Sequence, residues 1–189
     1  MIRIAVVGDI GSGKSYVARQ FGYPIFNADN EVAKIYKKSR KFNKKIKKLF
    51  PNHRITFPLK KKDISKVIRE KPSDIKKLVK IIHPEIRYKM HEFIKKNKRK
   101  KYVILDIPLL LENKLNKKKD ILIFIDAKKK EINKRLKKRK NYNSKIINIL
   151  KKLQLPVEIK KKKSNFIIKN NFKNDSVKKS VKNLVKKFN

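Results

Sequence analysis

The chain has 189 residues and carries 57 lysines and arginines against 15 acids, a formal net charge of +42, with 39% hydrophobic residues and no cysteine. That length suits one domain with a lid or a small inserted module, and the apolar content is enough for a core, which sets the chain apart from disordered sequences. No apolar run approaches the roughly 18 residues that would span a bilayer, no signal-peptide core precedes the first glycine, and no thiol offers disulfide or thiolate–metal chemistry; the expectation is a cytoplasmic protein without a membrane partner.

In chain order, Ile2–Val7 reads as a short buried strand, Lys14–Phe21 as a helix behind a tight loop, and Pro24–Asn27 as a brief second strand. From Asp29 to about Phe50 the apolar positions Val32, Ile35, Tyr36, Phe42, Ile46 and Leu49 recur at helical intervals. Phe50-Pro51-Asn52 ends that stretch, Pro58 marks a loop, and Asp63–Glu70 is helical again. Ser73 is placed to N-cap a further helix, His83-Pro84 to interrupt it, and Glu85–Lys96 to resume it. Tyr102–Ile107 is an apolar strand closed by Pro108, and Ile121–Ile125 and Asn165–Ile168 are two more. Lys128–Arg139, Ser144–Leu153 and Asp175–Phe188 read as helices. Continuous apolar strands alternating with helices predict a parallel sheet covered on both faces, an α/β doubly wound domain.

The sharpest local signal is Gly8-Asp9-Ile10-Gly11-Ser12-Gly13-Lys14-Ser15, which fits the phosphate-binding pattern G-x-x-x-x-G-K-[ST] between a strand and a helix. Three of the four glycines of the chain fall in these eight residues. Glycine lets such a loop take positive φ and turn amide hydrogens toward phosphate oxygens, and the following helix adds its N-terminal partial charge. Lys14 reaches toward β- and γ-phosphates, and the Ser15 hydroxyl suits Mg²⁺. A P-loop fold binding a nucleoside triphosphate with Mg²⁺ is therefore expected. The loop alone does not separate kinases from other nucleotide enzymes.

The positive charge has a less specific meaning. It comes from 48 lysines and only nine arginines, spread along the chain between apolar residues at helical spacing. That distribution describes solvated helix faces whose stems cover apolar surface, so no specific nucleic-acid partner is expected. Capture of small anionic substrates is favoured in any case.

Beyond the loop the chain resembles the dephospho-coenzyme A kinase family. The glycine loop is followed by Tyr16-Val17-Ala18 and by Asn27-Ala28-Asp29, similar to that family's D-A-D element; His83-Pro84-Glu85-Ile86-Arg87 is similar to its H-P-x-I-R. Asp106-Ile107-Pro108-Leu109-Leu110-Leu111-Glu112 resembles D-x-P-L-L-F-E, and Arg135-Leu136 with Arg139 resembles R-L-x-x-R. Gln154-Leu155-Pro156 and Asn165–Asn170 resemble Q-m-P and D-x-V-I-x-N, so the likeness runs from Ile4 to Asn170.

The resemblance implies ATP-dependent phosphorylation of the ribose 3′-hydroxyl of dephospho-coenzyme A. It also implies a core of about 1–28, 101–138 and 164–189, a helical coenzyme-binding region of about 29–100 and a lid of about 139–163, in a monomer or weak homo-oligomer. Asp29, Lys14 and Arg139 become the catalytic candidates. Asp29 stands at a strand exit, where a carboxylate can take the hydroxyl proton, although the same position suits a helix cap. Gly8, Asp9, Ile10, Gly11, Ser12, Gly13, Lys14, Ser15, Tyr16, Arg135, Arg139 and Asn170 are the candidates for holding ATP. Asp29, His83, Arg87, Asp106, Pro108 and Leu109 are those for the acceptor, and Ser15, Asp29 and Asp106 those for Mg²⁺. Arg135 and Arg139 also suit a solvated helix face, Asp106 a strand-end acid, His83 a helix junction, and Asn170 a plain turn. The competing readings are another P-loop nucleotide or nucleoside kinase, and a basic nucleic-acid-binding protein with a vestigial ATP site. The chain departs from the family pattern at Asn27 and Asn165, which replace acids, and in residues 51–62, which lack the usual glycine-containing loop. It departs again at Asp9, which replaces a glycine and is tolerable beside phosphates only if its side chain points away.

Overall fold

In a computed structural model the described residues are 1–139 and 142–188. Residues 140 and 141 of the expected lid segment, and residue 189 of the last core segment, lie outside them. Five strands, β1 (Ile2–Val7), β2 (Ile25–Asn27), β3 (Tyr102–Asp106), β4 (Ile121–Asp126) and β5 (Phe166–Lys169), form one sheet in the order β2-β3-β1-β4-β5. All four pairings are parallel, with Ile4 opposite Ile104 on one side of β1 and Val6 opposite Ile123 on the other. Central strands in such a sheet meet apolar layers on both faces, which is why β1 is apolar from Ile4 to Val7 and β3 from Tyr102 to Leu105.

One face of the sheet presents Ile4, Val6, Tyr102, Ile104, Ile123, Ile125 and Ile168 to α1 (Lys14–Gln20) and α9 (Asn174–Lys186), through Val17, Ala18, Val177 and Val181. On the other face α8 (Val157–Lys163) lies against β4, and the Lys161 ammonium sits 5.7 Å from the centre of the Phe124 ring. Helices α6 (Lys129–Lys137) and α7 (Ser144–Lys152) complete this unit, which comprises residues 1–27 and 97–189. Sequence periodicity gives no helix over 157–163. Its four consecutive lysines read as solvated, yet Lys160 is 2% exposed.

The second compact unit is Ala28–Lys96 and holds α2 (Ala28–Lys38), α3 (Arg40–Leu49), α4 (Lys61–Glu70) and α5 (Asp74–Lys96). The helical period expected to run from Asp29 to Phe50 is cut at Ser39. That residue is extended (φ −94, ψ 97), and its hydroxyl accepts a 3.1 Å hydrogen bond from the Phe42 amide, so it caps a new helix. The reverse holds at Pro84, which lies inside α5 and does not stop it. Proline removes one intrahelical bond, but buried Ile75, Leu78, Ile86 and Met90 anchor the helix before and after it.

The sheet order fixes where chemistry can sit. From β1 the chain leaves toward the β2 edge, and from β3 it crosses to β4 on the opposite side of β1. The connections that leave the carboxyl ends of the adjacent parallel strands β1 and β3 therefore run in opposite directions, and such a parting is where doubly wound sheets bind ligands. The glycine loop follows β1 there, and Asp106 ends β3 there.

At the other end of the sheet Arg3 donates to the Asp120 carboxylate at 2.7 Å and to the Leu115 carbonyl at 3.0 Å, with side chains 8% and 2% exposed. Removing one partner of a buried pair strands the other charge. Arg3→Met is expected to lower stability by about 3–5 kcal/mol in urea unfolding, and Arg3→Met with Asp120→Leu to recover much of that loss.

Candidate active site

The loop between β1 and α1 takes its shape from glycines. Gly13, the residue before α1, sits at φ +92, and a Cβ built there would run into the amide of Asn170. Gly8 has φ +148, and a Cβ on it would lie 2.8 Å from the Ile125 carbonyl. An L side chain at either point meets both strain and overlap. Lys14, at the start of α1, folds back so that its ammonium lies 3.0 Å from the Gly8 carbonyl and 2.9 Å from that of Asp9. Ser15 and Tyr16 follow on the first turn of the helix. The Ser12 hydroxyl and Tyr16 phenol are buried atoms without a hydrogen-bond partner among the described residues.

Three side chains from distant parts of the chain hold this loop. The Asn170 amide, 3% exposed, donates to the Ser12 carbonyl at 2.8 Å and accepts from the Phe172 amide at 2.9 Å. Gln154 accepts from the Ile10 amide at 3.2 Å and donates to the Gly8 carbonyl at 3.4 Å. The Lys160 ammonium reaches the Asp9 carboxylate at 2.5 Å. Gln154 and Lys160 are not among the sequence candidates. Gln154 lies in a family-like segment that could have flagged it, but nothing singles out Lys160 within its run of lysines.

On the Asn170 side a small hollow of about 80 Å³ is lined by Gly13, Tyr16, Arg135, Asn170 and Phe172. The Arg135 guanidinium stacks 4.4 Å from the centre of the Phe172 ring. Phe172 was also not anticipated. It holds φ +63, a left-handed conformation that a bulky residue adopts only when its surroundings enforce it, and here Asn170 closes an Asx-type turn on its amide. Arg139 is exposed just past α6, its amide bonded to the Leu136 carbonyl at 3.1 Å. On the Asp9 side a larger cavity of about 400 Å³ runs along Ile10, Ile132, Asn133, Gln154 and Val157, with Lys129 and Lys151 among its lining.

At the end of β3, Asp106 is 3% exposed and stands in register with Asn27 of β2, whose amide donates to its carboxylate. Pro108 is exposed and Leu109 half-buried beyond it. Leu109 turns the chain at φ +57, its carbonyl accepting from the Asn113 side chain at 2.8 Å. Among the described residues no cluster of three His, Asp or Glu side chains forms a metal cage. The Ser15 hydroxyl and Asp106 carboxylate are hard oxygen donors at the loop and at the neighbouring strand end, and a few such donors beside substrate phosphates suit Mg²⁺.

Asp29, His83 and Arg87 belong to the second unit. Asp29 is exposed in the first turn of α2, two residues after Asn27. His83 and Arg87 lie one turn apart on α5, and partial burial, together with the Arg87 charge, holds the His83 imidazole below its ordinary pKa of 6.5.

Among the described residues no helix is long and apolar enough to cross a membrane. The model of the dephospho-CoA kinase family matches residues 2–176 of this chain. A dephospho-CoA kinase of Wolbachia pipientis wMel is 31% identical over 191 residues, spanning 98% of this chain and 97% of its own. A crystal structure from Thermus thermophilus aligns with a TM-score of 0.76 at 24% identity, over 100% of this chain and 98% of that one. The dephospho-CoA kinase from Campylobacter jejuni aligns at 0.65 and 22% identity, over 98% of this chain and 96% of its own. The two structural likenesses show the shared α/β P-loop fold.

Gly13→Ala is expected to break the Asn170–Ser12 lock and weaken ADP binding by about tenfold or more, since left-handed backbone and a filled contact act together; titration with a fluorescent ADP analogue reads it. For His83, the unfolded chain binds a proton more readily than the folded one, so stability should fall as pH drops through 6.5 and level off below the folded-state pKa. Arg87→Gln should move the imidazole pKa upward, toward 6.5, in an NMR titration.

Proposed function

The chain belongs to the dephospho-CoA kinase family and catalyses the last step of coenzyme A synthesis, and from that premise we propose how its residues divide the work of moving the γ-phosphoryl group of ATP to the ribose 3′-hydroxyl of dephospho-coenzyme A. The observation that carries this reading is the Lys14 ammonium held over a three-glycine loop where β1 and β3 part. In that place it meets the β- and γ-phosphates, with Gly8, Asp9, Ile10, Gly11, Ser12 and Gly13 supplying the main chain around them.

Arg135, Phe172, Tyr16 and Asn170 form the walls for the base, and the stacked guanidinium and ring offer planar surfaces of its size. Asp29 accepts the proton as the 3′-oxygen bonds to the γ-phosphorus and the bond to the β–γ bridging oxygen breaks, releasing ADP. Arg139 places its charge over the transferring group, with the lid segment 139–163 excluding water. His83 and Arg87 receive the anionic acceptor, and Pro108 and Leu109 border it. Lowering of the imidazole pKa keeps His83 neutral near pH 7, so Arg87 carries the charge there. Ser15, Asp106 and Asp29 would supply oxygens for Mg²⁺, which would offset charge that builds on the phosphates. The setting is the cytoplasm, and the enzyme works as a monomer or weak homo-oligomer with no specific nucleic-acid partner.

The assay is coupled ADP release with and without dephospho-coenzyme A. Acceptor-dependent release is expected, and Asp29→Asn should lower it by about two to four orders of magnitude while ATP affinity stays within a few-fold. Turnover of Asp29→Asn near the wild-type rate would remove Asp29 as the base.

A further inference from the structure

Asp9 is a carboxylate inside a loop whose work, on the reading above, is to hold a polyphosphate. Beside a chain of phosphates a bare acid opposes binding by direct repulsion, and little water intervenes to screen it. The Asp9 side chain is 29% exposed and its Oδ1 lies 2.5 Å from the Lys160 ammonium, itself 2% exposed. Lys160 belongs to α8, on a different part of the chain, and it is the buried one of four successive lysines, 160 to 163. Burying an ammonium is unfavourable unless a counter-charge meets it. Asp9 is the acid that does so, at charge-assisted hydrogen-bond distance.

The pair does not stand alone. Gln154, six residues before Lys160, grips the amide of Ile10 and the carbonyl of Gly8, so the residues on either side of Asp9 are fixed from the same segment. Asp9 also borders the cavity that runs along Ile132 and Val157.

We propose that Lys160 is a positioning residue for nucleotide binding: it neutralises Asp9 and keeps that carboxylate turned off the phosphate seat, so that a loop carrying an acid still accepts ATP. The inference rests on the kinase reading and adds a role that acts through Asp9. A direct contact between Lys160 and phosphate is the rival, since Lys160 and Lys14 line one narrow cleft with Gly8 and Glu112.

Three proteins decide it: Lys160→Met, Asp9→Gly with Lys160→Met, and wild type, each titrated with fluorescent ADP and assayed for turnover. Lys160→Met should weaken ADP binding and raise KM for ATP by about tenfold or more, with kcat at saturating ATP within about threefold of wild type. Adding Asp9→Gly should bring both constants back to within about threefold of wild type. If Lys160→Met does not fold, a folded, nucleotide-binding double variant supports the proposal equally. Unchanged binding in Lys160→Met overturns it, as does a double variant that is unfolded or no better than the single one. Failure of the kinase reading looks different, because wild type itself would then release no ADP in response to dephospho-coenzyme A.

Discussion

A phosphate-gripping loop has a shape that its own few residues cannot maintain. Gly8, Gly11 and Gly13 all hold positive φ, a conformation glycine permits but does not select, because it also has the widest choice of alternatives. The selection is made from outside the loop. Asn170 fastens Ser12, Gln154 fastens Gly8 and Ile10, and Lys160 fastens Asp9. All three come from the last third of the chain, so the loop is complete only when residues 154 to 170 have packed on the sheet. Preorganisation of this kind lets main-chain donors bind without being ordered at the moment of binding.

The same dependence explains the sheet. Parallel strands need covered crossovers, so their residues are apolar on both faces, and polar groups appear only where a strand ends. Asp106 follows four fully buried residues of β3, and the lysine and serine of the loop come after the buried run of β1. The Asn27 side chain beside Asp106 gives that acid an amide donor where a second carboxylate would repel it. The core therefore sets the position of the chemistry, and the strand ends supply its polar groups.

Much of this was legible in residue order. Every strand was readable because buried parallel strands are short apolar runs closed by breakers, and the loop was readable because its glycines are rare elsewhere in the chain. What stayed hidden depended on partners far away in sequence. Ser39 looks like any serine in a helical period until its hydroxyl is seen on the Phe42 amide, and Pro84 looks like a stop until the apolar anchors on both sides of it are counted. Phe172 and Lys160 carry no local signal at all. One meets Arg135 and the other Asp9, each from a distant part of the chain. Asn170 is a mixed case, expected at the nucleotide or in a turn, and the structure puts its amide on both Ser12 and Phe172.

Charge in this chain sorts by geometry as well as by sign. Nine arginines stand among 48 lysines, and two of them occupy places a lysine could not fill. Arg3 spreads its guanidinium between the Leu115 carbonyl and the Asp120 carboxylate, and Arg135 sits over the Phe172 ring. Both uses need a planar, weakly hydrated cation with several fixed donors. Lys14 and Lys160 do the opposite work, each bringing a compact charge to the loop at the end of a flexible stem. A lysine can reach Asp9 from α8 because its stem is buried along apolar surface while its ammonium meets the acid. Most of the other described lysines are exposed and leave their charge at the surface, which is how a chain of +42 can keep an ordinary apolar core.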